Sequence, residues 1–268
     1  MINVHVSPDC RVVHGGAKSV KKGLILAMLA LCSMRAQDAS ATQIDWTGFG
    51  KYAAIQVNLN GYTYNGVGGE LTWQWLGSTP TGYSPAFYAY CVDLLHSIRD
   101  PQTVAIRSTD VLSPPDAGVL AQGPYVQDAG KKAAWLFNNY APVINAPGGM
   151  GTDAAALQVA IWEALYDTTA NLSTGAFTLL NQATNAAVTS KAITYLTGLY
   201  SGPGGTYLTS SATWLDAPLG AGQDVIIAMP IPEPATILLL GTGLLALARH
   251  RRSRRRKAAS ITNPDPAA

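Results

Sequence analysis

The amino-acid sequence predicts an α+β fold in which a strand-rich sandwich or barrel part is followed by a helical part. Apolar and polar residues alternate with a period of two around residues 55–59 and 71–75, as they do in half-buried strands. Apolar residues within 133–165 instead recur at the three- and four-residue spacing of amphipathic helices. Because the strands precede the helices as a group, this order favours α+β over alternating β/α units.

Four strands are predicted in the first half of the body of the chain, with Gly-rich turns between them. They lie at residues 55–59, 71–75, 87–94 and 104–106. The Asn-Gly dipeptides at residues 60–61 and 65–66 favour tight turns. One further strand, at residues 225–228, is predicted to close the body.

Three helices are predicted in the second half. The first runs from Ala133 to Tyr140 and is ended by Pro142 and by the Pro-Gly-Gly at residues 147–149. The second has Thr152 as its expected N-cap. A third helical stretch is expected from Phe177 to Leu199.

Charge is unevenly distributed along the 268 residues. Residues 1–41 carry five basic and two acidic side chains, and residues 231–268 carry seven and two. Residues 42–230, which we call the body, carry six basic and twelve acidic side chains. An acidic body lacks the basic face that nucleic acids require, so we expect no nucleic-acid partner.

The N-terminal residues 1–41 are typical of a signal peptide. Three lysines within 18–22 precede a short apolar run at 23–31, and Ala-Ser-Ala at 39–41 offers a cleavage site. A membrane anchor and a first core helix are the alternatives, but a span needs about 20 apolar residues. We therefore expect the body, at 42–230, to be extracytoplasmic.

The C-terminal residues 231–257 combine three elements in order. The tripeptide Pro232-Glu233-Pro234 is followed by an apolar run that ends at Ala248, and seven basic residues follow it. Positive charge stays on the cytoplasmic side of a membrane, so the body is expected outside. The run is short for a permanent span, which favours a single short transmembrane sorting helix over an ordinary tail anchor. Residues 258–268 are expected to form a disordered tail.

This order of elements resembles the PEP-CTERM sorting signal, with Pro232, Glu233 and Pro234 as the sorting motif. The resemblance implies recognition by an exosortase-type processing enzyme of Gram-negative bacteria. It also implies that the C-terminal helix anchors the exported protein in the membrane before processing. The final location would then be the cell surface or an exopolysaccharide-associated biofilm matrix.

The body contains one cysteine, Cys91, because Cys10 and Cys32 lie in the predicted signal peptide. A lone cysteine cannot form an internal disulfide. It could be a small buried residue, pair between chains or act as a nucleophile. The histidine of the body, His96, lies five residues further on, which places it on the opposite face of a continuous strand, so a Cys–His dyad is not expected.

Gln158 is polar within residues 154–162, which are otherwise apolar. A buried carboxamide without partners costs about 1–3 kcal/mol, so this side chain needs hydrogen bonds or a special role. One explanation is a structural glutamine that is bonded to backbone or placed at the helix edge.

The segments Tyr90-Cys91-Val92-Asp93 and Gln158 to Trp162 resemble the paired motifs of thioester domains in bacterial surface proteins. The resemblance implies that the Cys91 sulfur attacks the Gln158 carbonyl, that ammonia leaves, and that an internal thioester remains. An amine or hydroxyl nucleophile of a surface or matrix target would then be attached covalently. Tyr90, Asp93 and Trp162 are the candidate supporting residues.

The sequence lacks GxGxxG, P-loop, HExxH and CxxC motifs, so we expect no cofactor and no metal. We also expect that the protein is not an enzyme. The alternative to a thioester protein is a non-reactive structural protein of an exopolysaccharide matrix, in which Cys91 and Gln158 merely pack. A secreted cysteine hydrolase is a further alternative.

Overall fold

The structure is a computed structural model. It describes residues 42–94, 96–109, 125–202, 206–218, 220–231, 241–247 and 249–250. The predicted signal peptide, the tripeptide Pro232-Glu233-Pro234 and the tail at 258–268 lie outside the described residues.

The described residues form seven strands that pair in antiparallel fashion. The strands are β1 (Thr42–Leu59), β2 (Tyr62–Leu76), β3 (Ala86–Cys91), β4 (Gln102–Ser108), β5 (Phe177–Leu179), β6 (Thr213–Asp216) and β7 (Val225–Ile227). Their order is β2-β3-β7-β6-β4-β1-β5, and β1 also pairs with β2 along its length. The sheet therefore closes on itself through β1, and β5 extends it at the far end of that strand.

Strands β1 and β2 form a long hairpin. Its turn is the predicted Asn60-Gly61, where φ is 50° and 91°, and such left-handed pairs match the twist of the strands. The turn predicted at Asn65-Gly66 is wrong. Both residues lie inside β2, paired with Gln56 and Ile55, because the earlier turn has already set the register.

Three helices and a short 3₁₀ segment belong to the described part of the body. The helices are α1 (Ala129–Asn145), α2 (Gly151–Tyr166) and α3 (Ala186–Ser201), and the 3₁₀ segment is Thr206–Thr209. The α+β class, with strands first and helices after, is confirmed. However, β5, β6 and β7 return to the sheet after the helices begin.

Three helix boundaries differ from the prediction. Pro142 lies inside α1 and does not end it. A proline has no N–H to donate to the carbonyl four residues earlier, which is that of Asn138. Asn138 is exposed, so water can take the place of the missing donor. Helix α2 begins one residue before Thr152, with Met150 as its N-cap. The expected helix at 177–199 starts as strand β5, because Phe177 pairs with β1.

Helix α2 is the central element of the core. Every residue from Ala154 to Tyr166 is buried, and the helix packs against β1, β2, α1 and α3. Its start is held close to β1, where a Cβ on Gly151 would lie 2.4 Å from the Tyr52 carbonyl oxygen. A helix buried on all sides must satisfy any polar side chain internally, and this requirement applies to Gln158.

Residues 241–247, within the predicted sorting helix, are helical and exposed. Among the described residues, none of the helices combines the length and apolar character that crossing a bilayer would take.

Candidate functional site

The structure brings Cys91 and Gln158 together. The Cys91 backbone N–H donates to Gln158 Oε1 at 2.9 Å, and Gln158 Nε2 donates to the Cys91 carbonyl at 2.7 Å. Both residues are buried, at 5% and 1% exposure. The oxygen and the nitrogen of the carboxamide thus each have a partner in the core, and both partners belong to Cys91.

The end of β3 explains this contact. Strand β2 pairs with β3 from Ala86 to Ala89 only, while β7 pairs with Tyr90 and Cys91 from the other side. The polar groups of Cys91 that face away from β7 need other partners. The side chain of Gln158, from the facing helix, provides them.

The Cys91 thiol is a neutral buried group. Its Sγ donates to the Asp93 carbonyl at 2.7 Å. Burial raises the pKa of this thiol well above its ordinary value, and the negative charge of Asp93 adds to the effect. The Trp162 indole close to the sulfur acts in the opposite direction on this pKa. The sulfur therefore has little thiolate character in the folded protein.

Cys91 and Gln158 both line a pocket of about 480 Å³. Trp162 lines it as well, one helical turn after Gln158 and hence on the same face of α2. The Trp162 Nε1–H is buried and has no hydrogen-bond acceptor among the described residues. This N–H lies beside Cys91 and Gln158 in the same pocket.

Tyr90 does not join this pocket. Its ring packs edge-to-face on Phe137 with centroids 6.0 Å apart, in the core. Successive strand residues point to opposite faces, so Tyr90 and Cys91 face different sides of β3. Of the candidate supporting residues, Trp162 lines the pocket and Asp93 contacts the cysteine through its backbone.

His96 lines the same pocket as Cys91, so the expectation that it lies on an opposite face is wrong. The alternation argument fails because β3 ends at Cys91 and the chain beyond it is irregular. His96 Nδ1 lies 2.5 Å from Asp93 Oδ2. The Gln223 side chain donates to the carbonyls of Asp93 and His96 at 3.1 and 2.9 Å, which fixes this segment.

Gln223 was not predicted from the sequence, since it lies in an irregular segment with no motif. No group of three or more histidine, cysteine or acidic side chains is arranged to hold a metal ion within the part of the chain that the structure describes.

Comparison with known proteins identifies the C-terminal segment. The PEP-CTERM protein-sorting motif matches residues 230–252. The chain therefore carries the C-terminal sorting signal of an exported protein, of the kind that exosortase processes. The match leaves residues 42–229 uncovered, so the resemblance of the body to thioester domains rests on the motifs around Cys91 and Gln158. No curated protein and no solved structure matches the chain.

Proposed function

We propose that the body is a self-modifying adhesion domain, not an enzyme, in which Cys91 and Gln158 form an internal thioester. The observation that carries the proposal is the pairing of the Gln158 carboxamide with the Cys91 backbone at 2.9 and 2.7 Å. Through the thioester, the exported protein attaches covalently to an amine or hydroxyl nucleophile at the cell surface or in a biofilm matrix. The reaction uses no cofactor and no metal.

In the proposed reaction, the Cys91 sulfur attacks Cδ of Gln158, the Cδ–Nε2 bond breaks and ammonia leaves. The thiol proton passes to the departing nitrogen, so no co-reactant is needed. Negative charge develops on Oε1, which already accepts a hydrogen bond from the Cys91 N–H, so this donor stabilises the intermediate. The unpaired Nε1–H of Trp162 is a second donor beside the pocket.

The raised pKa of the Cys91 thiol makes this reaction slow, but it needs to occur only once in each molecule. A barrier of about 22 kcal/mol corresponds to about one event per hour at 25 °C. The Cys91 backbone holds the Gln158 carboxamide beside the cysteine in a packed core, which lowers the entropic part of the barrier. The same burial, at 5% and 1% exposure, limits the access of water to the product and slows its hydrolysis.

One observation favours the non-reactive alternative. Both polar groups of the Gln158 carboxamide are satisfied without any covalent bond, so this side chain could serve only to tie α2 to the end of β3. The exported protein would then be a structural component of an exopolysaccharide matrix.

The mass of the intact purified protein distinguishes the two functions. A thioester lowers the mass by one ammonia and protects Cys91 from alkylation until methylamine opens the bond. Cys91→Ala removes the nucleophile, and Gln158→Glu removes the leaving ammonia while keeping the shape of the side chain. Both variants should show their full calculated mass.

The matched control is Gln74→Ala, which changes an exposed glutamine on β2 and should retain the ammonia loss. Full calculated mass and a Cys91 that is alkylated in the folded wild-type protein would contradict the thioester and favour the structural role.

A further inference from the structure

Beside the two proposed thioester residues lies an oriented histidine that thioester formation does not use. His96 Nδ1 is 2.5 Å from Asp93 Oδ2. An ionised carboxylate can only accept, so this contact places a proton on Nδ1, and in the neutral form of the imidazole Nε2 is then the nitrogen with the lone pair. The side chain of Asp93 is 8% exposed and that of His96 is 22% exposed, so the pair is largely sheltered and the imidazole is still reachable.

The backbone that carries this pair is also fixed. Gln223 donates to the carbonyls of Asp93 and His96, which bracket the segment. The Cys91 thiol donates to the Asp93 carbonyl. The thiol and the imidazole thus have separate partners, which favours a role for His96 toward an incoming molecule over activation of the sulfur.

We propose that His96 is the general base that activates a saccharide hydroxyl for attack on the thioester, with Asp93 and Gln223 as its positioning residues. This inference rests on the proposed function and names its substrate class. A neutral hydroxyl is a weak nucleophile and must lose its proton as it attacks, whereas an unprotonated amine can add first and lose its proton afterwards. An Asp–His pair at the pocket therefore serves a hydroxyl target.

The pocket lining supports a saccharide. Trp46, Phe49 and Tyr64 present aromatic rings, and Asn65 and Gln223 add amide groups. Apolar walls with a few polar groups are typical of small-ligand sites, and aromatic rings stack on the apolar faces of sugar rings. No lysine or arginine lines this pocket in the described part of the chain, so it offers no ion pair to an anionic ligand.

The step balances without a further reactant. The hydroxyl oxygen bonds to Cδ of Gln158 while its proton passes to His96 Nε2, and the Cδ–Sγ bond breaks. The sulfur leaves as a thiolate and takes the proton back from the imidazolium. The products are an ester on residue 158 and a free Cys91 thiol, whose burial favours the protonated form.

The test compares nucleophiles on the full-length protein after its ammonia loss has been measured. Wild-type protein is incubated separately with glycerol, a neutral glucan oligomer, a serine-containing peptide and methylamine, and the adducts are quantified by intact mass. The wild type should form glycerol and glucan esters. His96→Gln should slow both by about 100-fold or more, within the usual range for a general base. The ratio of the ester rate to the methylamine rate should fall at least tenfold.

Two further variants keep the result interpretable. Asp93→Asn removes the charge that orients the imidazole and should lower the same ratio. If His96→Gln does not fold, Asp93→Asn serves as the test in its place. Gln74→Ala should leave the ratio unchanged. An unchanged ratio in His96→Gln would refute the role of His96 as general base. Reaction with methylamine alone, or with the serine peptide alone, would refute a saccharide as the substrate. A wild-type protein that never loses ammonia instead refutes the thioester itself.

Discussion

The Gln158 carboxamide pairs with both backbone polar groups of Cys91, at 2.9 and 2.7 Å. Strand pairing normally satisfies such groups, but the pairing of β2 with β3 stops at Ala89 and leaves this edge of Cys91 to a side chain from α2. The contact joins the end of a strand to the centre of the most buried helix, so it bears on both the chemistry and the stability of the body.

Replacing Gln158 with alanine should destabilise the protein. The change leaves the N–H and C=O of Cys91 buried without partners, and each orphaned group costs about 1–3 kcal/mol. We expect the free energy of unfolding to fall by about 2–6 kcal/mol, measured by urea denaturation. Gln158→Glu should lose less, because a protonated carboxyl can both donate and accept. Equal stability of Gln158→Ala and wild type would contradict the importance of this pair.

The second prediction concerns Lys51, whose ammonium donates to the carbonyls of Ile144 and Ala146 at 2.5 and 2.7 Å. These carbonyls lie at the C-terminal end of α1, where a cation also interacts favourably with the helix dipole. Lys51→Met should lower the free energy of unfolding by about 1–3 kcal/mol in urea denaturation. Lys191→Met, which removes an exposed ion pair with Asp153, is the matched control and should cost under about 1 kcal/mol.

Much of the fold could be predicted from the sequence, for a physical reason. Strands β1 and β2 bury one face each, so their alternation is visible, and α2 is buried on all sides and mostly apolar. Closure of the sheet was not predictable. Strand β7 was predicted at residues 225–228, but β6 has four residues, which is too short for a periodic pattern. Both strands pair with β-strands that lie far away in sequence, β6 with β4 and β7 with β3.

The candidate site was partly predictable. Cys91 and Gln158 stand out as a lone cysteine and as a polar residue in an apolar helix, but their contact depends on how α2 packs against the end of β3. The place of His96 depends on where β3 ends, and the sequence runs on in apolar residues beyond Cys91. Gln223 acts on the site only through hydrogen bonds to the backbone carbonyls of Asp93 and His96, which lie far away in sequence.

The third prediction concerns sorting. In a host with a matching exosortase, the body should be found outside the cytoplasm and should have lost its C-terminal arginines, as the sorting motif at residues 230–252 indicates. Replacing Pro232, Glu233 and Pro234 together with alanine should block processing and leave a longer, membrane-associated species. Cell fractionation with immunoblotting against the body measures both. Recovery of full-length wild-type chain from the cytosol would refute export.

The last prediction concerns Glu163, a carboxyl that is fully buried in α2. Neither of its oxygens has a partner in hydrogen-bond geometry among the described residues, and the nearby Asn171 backbone only partly offsets the effect of burial on its pKa. Burial raises its pKa to about 9, and the nearby charge of Asp167 adds to this. The side chain is therefore a neutral acid in the folded protein at neutral pH, whereas in the unfolded chain it titrates near its ordinary pKa of 4.5.

This difference in pKa makes stability depend on pH. Between about 4.5 and 9 the unfolded chain has released the proton and the folded protein retains it, so unfolding becomes easier as pH rises. Each pH unit is worth at most about 1.4 kcal/mol for one group. From pH 5 to pH 8, Glu163 should therefore lower the free energy of unfolding by up to about 4 kcal/mol. Asp224, whose pKa burial raises to about 7, contributes in the same direction up to that pH.

Glu163→Gln removes the titrating group and keeps its size, so it should flatten this dependence. Urea denaturation of the wild type and the variant at pH 5, 6.5 and 8 measures the change. The variant should gain stability relative to the wild type as pH rises. The dependence of its free energy of unfolding on pH that remains should come from Asp224, and the double variant with Asp224→Asn should lose that dependence as well. Parallel pH profiles for wild type and Glu163→Gln would mean that Glu163 is ionised in the folded protein, with a partner or water that offsets its burial.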